Sequence, residues 1–206
     1  MKKIFKNVKG FTLVELLIVI GLLGAIALIV IAAINPIEQS NRARDTKYRA
    51  DAGQLVSAIE RYFVSQTAFP WTTFNSVTYP SADTAVNFGS ATSQMYGLCG
   101  ASCAVDGLLI TNNELKTEFR NRDFAKTGVT LPNQIRIGKA LGSSSSIYAC
   151  FTPLSKSIRD KACTDGKVYS IAAAGQSDRG SAMSGAACAS TAAGWASGSL
   201  VVCVPE

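Results

Sequence analysis

The residues able to take part in chemistry begin with Gly10, Phe11 and Glu15. Glu15 opens a run of nineteen residues, Leu16 to Ile34, that carries no polar side chain. A carboxylate inside hydrocarbon costs roughly 2.5–3.5 kcal/mol on insertion scales, so it needs a partner. The positive end of its own helix offers only about 0.3–1 kcal/mol. No Lys or Arg lies between Phe11 and Ile34 to do better. Hydrolysis after Gly10 would create the missing cation, the α-amino group of Phe11. Residues 1–10, with Lys2, Lys3, Lys6 and Lys9, then become a removable basic leader. Glu15 of one copy could pair with the new amine of the next. This is chemistry done to the chain rather than by it.

The second group is six cysteines, Cys99, Cys103, Cys150, Cys163, Cys188 and Cys203, all well beyond the apolar run. An even count in an exported domain reads as disulfides formed in an oxidising compartment. Fifteen pairings are open. Sequential pairing (99–103, 150–163, 188–203) is the expectation, and its first bond is the weakest because the loop is so tight. A four-thiolate zinc site is the alternative, opposed by the lack of any histidine and of any Cys-x-x-Cys pair.

The absence of histidine also removes the commonest general base. No Gly-x-Ser-x-Gly, phosphate-binding loop or paired-carboxylate motif occurs. Asp106-Gly107 and Asp165-Gly166 read as turns, and no run of alternating acids supports a calcium loop. The expectation is a non-enzyme with no catalytic residues, metal or cofactor.

Residues Lys9-Gly10-Phe11-Thr12-Leu13-Val14-Glu15-Leu16-Leu17-Ile18-Val19 resemble the N-terminal processing motif of bacterial type IV pilins and the related pseudopilins. The resemblance implies that a membrane-embedded aspartic peptidase cuts after Gly10 and methylates the amine of Phe11. Glu15 would then register neighbouring subunits as they polymerise through their N-terminal helices. Implied partners are the prepilin peptidase/methyltransferase, an assembly ATPase with its membrane platform protein, other pilins, and further copies of this chain. Implied locations are the cytoplasmic membrane, with the C-terminal domain exported, and an extracellular filament after assembly. A pseudopilin of a type II secretion or DNA-uptake system is the alternative within that machinery. A membrane-tethered binding domain that never polymerises is the alternative outside it. A disulfide-closed segment near the C-terminus is similar to true pilins more than to pseudopilins.

The elements that position these residues start with one long helix. From Phe11 to Ile34 it would be about 36 Å long, enough for a ~30 Å hydrocarbon core. Gly21, Ala25, Leu28 and Ala32 form a mostly small face that suits ordinary membrane-helix composition. Asn35-Pro36 predicts a kink. Helix then resumes, with Glu38/Arg42 and Asp45/Arg49 as acid-before-base pairs four apart. Tyr48, Ala52, Leu55, Ile59, Tyr62 and Phe63 make an apolar face as far as about Gln66. The domain reading is therefore leader 1–10, membrane and assembly helix 11–35, amphipathic helix 36–66, and an exported head 67–206.

Within the head, residues 67–104 read as a long, partly ordered connection, and 113–126 as a helix stopped by Gly128. Strands are expected at 134–137, 147–151, 168–173 and 200–204. The stretch 181–199 is nearly all Gly, Ala, Ser and Thr, too poor in large apolar groups to build its own core. The fold class is α+β, a long helix laid on a small antiparallel sheet, similar to a pilin head.

Charge is uninformative about nucleic acid. The net charge is +6. Four of the 20 basic side chains lie in the leader, which leaves 16 against 14 acidic ones, a net of +2. Arg42, Arg44, Lys47 and Arg49 read as a solvated face interleaved with Glu38, Asp45 and Asp51, with lipid or DNA contact as the lesser alternatives.

Overall fold

A computed structural model of the chain describes residues 10–33, 35–74, 85–126, 128–142, 145–171 and 175–206. They fall into two compact units, one ending at Gln39 and the other beginning at Ser40. Residues 1–9 of the expected leader lie outside the described residues.

Helix α1 runs Leu13–Ala33. Apart from Glu15, branched aliphatic and small residues surround it on all sides, the pattern of a helix meant for an apolar medium. At 1.5 Å per residue it is about 31 Å long. The stretch Leu13–Ile31 is long and apolar enough to cross a membrane, and none of it is buried within the chain.

Helix α2 runs Pro36–Gln66. The expected kink is a break between the two helices. Proline supplies a first helical residue that needs no N–H acceptor, and Asn35 Oδ1 accepts from Glu38 N–H at 3.2 Å, capping the new start. The expected apolar face is buried: Tyr48, Ala52, Leu55, Ile59 and Tyr62 are all below 5% exposed.

After a short helix α3 (Pro70–Phe74) come β1 (Val86–Ser90), the single turn α4 (Leu108–Thr111), β2 (Ile135–Lys139) and β3 (Ile147–Phe151). Helix α5 (Lys156–Thr164), β4 (Tyr169–Ser170), α6 (Ala193–Ser197) and β5 (Leu200–Val204) complete the head. The strands form one antiparallel sheet in the order β1-β2-β3-β5-β4. Alternation divides its residues. Ile135 and Ile137 of β2, with Ile147, Ala149 and Phe151 of β3, join the α2 face in the main core. Tyr48 meets Phe151 and Phe124 there, with ring centroids 6.2 and 6.3 Å apart. The opposite face carries Cys150, Val201 and Cys203, covered by Tyr169, Ile171 and Phe88. Phe88 explains Gly138, because a Cβ at that position would sit 2.7 Å from its ring.

The α+β class and the sheet on a long helix stand. Several local expectations do not. The connection 67–104 holds α3, β1 and a 3-10 turn at Gln94–Tyr96, while 75–84 lies outside the described residues. The helix expected over 113–126 is two 3-10 turns, Thr117–Asn121 and Asp123–Ala125, joined by an extended Arg122. Phe119 and Phe124 are both buried; five apart, they cannot share one face of an α-helix. The third strand pairs only at Tyr169–Ser170, and 172–174 lies outside the described residues.

The stretch 181–199 does contribute to a core. Trp195 is 1% exposed and gathers Ala162, Val168, Cys188, Leu200 and Val202 around it, with its Nε1–H donated to Ala189 O at 2.9 Å.

Two of the three expected disulfides are also corrected. Cys99 bonds Cys103, but Cys150 bonds Cys203 and Cys163 bonds Cys188. Register is the reason. Antiparallel β3 and β5 set Cys150 directly opposite Cys203, while α5 carries Cys163 over to the Trp195 cluster that holds Cys188. The two bonds are nested, not sequential.

Replacing Cys150 and Cys203 together by Ala opens a connection spanning 53 residues and Cys99–Cys103 one spanning 4. The chain-entropy relation gives about 4 kcal/mol for the first and about 2 for the second. Urea unfolding of the full chain in micelles, followed by tryptophan fluorescence, should show that order.

Candidate functional site

The residues expected to serve processing and assembly occupy the first turn of α1 and the segment before it. Gly10 is exposed and non-helical, and a Cβ there would meet nothing within 4 Å. Phe11 is 87% exposed.

Glu15 is not idle in the isolated chain. Its Oε2 accepts from Thr12 N–H at 2.8 Å and from Thr12 Oγ1 at 2.9 Å. Thr12 Oγ1 in turn accepts from Glu15 N–H at 3.2 Å. This is a reciprocal capping box, in which the side chains at the two ends of the first turn satisfy each other's backbone N–H. It supplies two of the N–H acceptors that a helix start lacks. The spacing Thr12-x-x-Glu15 is a readable capping signature, and reading Glu15 only as a charge in search of a cation overlooked it. Oε1 accepts no bond among the described residues.

Along α2 the charges expected on a solvated face instead lock the helix to the head. Asp45 is 1% exposed. Its carboxylate accepts from Leu154 N–H at 3.0 Å and Ser155 N–H at 2.8 Å, at the start of α5. Ser155 itself caps that helix by accepting from Ile158 N–H at 3.3 Å. Beside it, Arg44 donates to Asp45 at 3.0 Å, Asn133 Oδ1 at 2.9 Å and Pro132 O at 3.1 Å, and it stacks 4.0 Å above the Tyr48 ring. Lys47 pairs with Asp123, and Arg122 pairs with the buried Asp51. Arg49 and Lys167 both grip Glu206. The expected pairing of Asp45 with Arg49 does not form, because both reach into the head instead. The face is ionic, but it is an intrachain seam.

Two carboxyls in this seam are shifted in opposite directions. Hydrogen bonds from Lys126 and Lys47 hold Asp123 down at about 2. Burial raises Asp51 above the ordinary aspartate range, against the pull of Arg122.

The six cysteines are placed in three disulfides across the head. Among the described residues no three His, Cys, Asp or Glu side chains gather as a metal site.

Comparison with known proteins agrees with the N-terminal geometry. A family model described as the prokaryotic N-terminal methylation motif matches residues 5–31. This is the signature of type IV pilins and pseudopilins, and the chain is similar to them over those residues. It implies processing by prepilin peptidase and assembly with other pilins, and suggests a structural subunit rather than an enzyme. The apolar α1 fits membrane anchoring. No curated protein and no solved structure matches the chain.

Asp45→Ala should cost about 3–5 kcal/mol, the penalty for removing one partner of a buried ionic network. Asp45→Asn, which keeps one acceptor oxygen, should cost distinctly less. Urea midpoints of the two variants check this.

The pH response follows from the signs. Asp123, held low, stabilises the fold above the unfolded value near 3.9, and that contribution is lost as pH falls toward about 2. Asp51, held high, favours the fold most when protonated, and that contribution is lost as pH rises through its raised value. Asp123→Asn should therefore cost less than about 1 kcal/mol at neutral pH, since Asp123 is half-exposed. The difference from wild type should shrink as pH falls below about 4 and vanish only below about 2 in an acid titration of the unfolding midpoint.

Proposed function

We propose that this chain is a structural subunit of a type IV pilus-like extracellular filament. The observation that carries the reading is a coincidence at one end of the chain. The methylation motif at residues 5–31 overlies a helix whose large side chains, from Phe11 to Ile31, are 49–87% exposed. Such a helix needs an apolar environment from outside the chain, first lipid and then other copies of itself.

Prepilin peptidase hydrolyses the Gly10–Phe11 bond and methylates the freed amine, which remains a cation near neutral pH. Lipid is as apolar as the helices, so leaving it for a bundle gains no hydrophobic free energy. Helix packing and the pairing of the Phe11 ammonium with a neighbour's Glu15 must then drive and register assembly. An assembly ATPase and its membrane platform protein supply the work of extraction. Support for a pilin over a pseudopilin comes from the nested bonds Cys150–Cys203 and Cys163–Cys188, which close the C-terminal part of an exported head.

Glu15→Leu should leave membrane insertion intact and reduce filament yield more than tenfold, since a charge-assisted bond contributes about 1.5–3 kcal/mol. Wild-type yield from that variant sinks the pairing mechanism. Mass spectrometry of the purified protein should return N-methylphenylalanine as residue one, and an intact Met1 sinks the processing.

A further inference from the structure

We propose that Asp51 is a proton-controlled latch: protonated, it holds the turns Thr117–Asn121 and Asp123–Ala125 against α2, and ionised, it loosens them. The side chain sits on α2 and is 1% exposed. Arg122, the extended residue that joins the two turns, donates to its Oδ1 at 2.9 Å. The other oxygen, Oδ2, is buried and meets no hydrogen-bond donor among the described residues. An ionised carboxylate here places part of its charge on an atom that nothing solvates, and a buried charge without full pairing is costly. A proton on Oδ2 removes that charge and leaves the bond from Arg122 to Oδ1 in place.

The surroundings do not cancel the cost. The charged groups facing Asp51 are Arg122 and Asp123 from the turns and Lys47 from its own helix. Loss of water outweighs the attraction of Arg122 and Lys47, and Asp123 adds to it, so the carboxyl is pushed above the ordinary aspartate range. Lys47 is in any case shared, since it pairs with Asp123 at 2.6 Å. When the turns loosen, Asp51 meets water and behaves as an ordinary carboxyl. Proton loss is therefore easier in the open arrangement, and rising pH favours opening. The moving part is lightly held. Short 3-10 turns have poorer hydrogen-bond geometry than an α-helix. Arg122 lines a cavity of about 670 Å³, which gives its guanidinium room to leave. With no histidine in the chain, no side chain of ordinary pKa titrates between about pH 5 and 8. A response in that range points to a displaced group such as Asp51. The inference rests neither on a membrane nor on polymerisation.

The test is amide hydrogen exchange of the full-length protein in micelles from about pH 4 to 8, corrected for intrinsic rates and mapped on peptides. The opening constant of peptides within 117–125 should rise about threefold or more across that range. Their protection should stay about tenfold or more below that of β3, which marks opening of the turns alone. Asp51→Asn keeps an acceptor for Arg122 without the charge. It should abolish the slope and leave protection near the top of the range equal to wild type or better. An ion pair that served only to hold the turns predicts the reverse, weaker protection at every pH. Arg122→Gln removes the strongest attraction for the anion, so its rise should begin at higher pH than in wild type. A flat wild-type profile, a slope that survives in Asp51→Asn, or weaker protection in that variant overturns the proposal. So does protection of 117–125 equal to that of β3. Should Asp51→Asn fail to fold, Arg122→Gln decides, and an onset that does not move overturns the latch.

Discussion

The large side chains of α1 from Phe11 to Ile31 gain almost no cover from the described remainder of the chain. Their removal from water must therefore be supplied from outside, and the head must fold without help from that surface. Two features of the head answer to this constraint. Its core draws on α2 in place of α1, with Leu55, Ala58 and Ile59 fully buried. Its later segments are small-residue chain held by disulfides and by one large anchor, Trp195.

The seam along α2 handles a second problem. An amphipathic helix that continues a membrane-directed one has to be fixed in register on its sheet, or its apolar face becomes a second sticky surface. Apolar packing tolerates slippage between similar side chains. Asp45 does not, because only one register delivers its two oxygens to Leu154 and Ser155 N–H. Arg136 plays a comparable part on the opposite face of the sheet, donating to Ile171 O at 2.9 Å and Gly198 O at 2.5 Å. Burial lowers its pKa. Arg179 adds a latch on the same side, stacked 4.3 and 4.4 Å from the rings of Tyr148 and Tyr169.

What could be read from the sequence was whatever repeats or alternates strongly. The α2 face follows from periodicity, and the apolar run and the bounds of β3 and β5 from largely unbroken apolar stretches, all of which tertiary context only reinforces. The element α5 did not, because Lys156-Ser157-Ile158-Arg159-Asp160-Lys161 buries so little that no apolar stripe forms; its one local signal was Ser155 as a cap. Strand β1 was hidden by Gly89 and Ser90, weak strand formers that pairing with β2 holds in place. Two of the disulfides were misread because proximity in sequence stood in for proximity in the sheet, and β3 and β5 are neighbours across half the head. The α2 charges were misread for a similar reason. Spacing shows which charges can meet on one helix, but it is silent about carbonyls and N–H groups brought in from elsewhere.

The capping box changes how the assembly charge should be understood. A carboxylate that waited unpaired in lipid would tend to take up a proton, since burial disfavours the charged form, and a neutral acid gives no electrostatic reason to bind an amine. Thr12 removes that difficulty by donating twice to a single oxygen, Oε2. The anion is thereby stabilised at the helix start, where the backbone dipole also favours it. The second oxygen stays uncommitted among the described residues. An incoming ammonium can then bind Oε1 without first breaking the cap. Under the proposed assembly, self-satisfaction in the monomer and pairing in the polymer would be successive uses of two different atoms, so neither would have to be given up for the other.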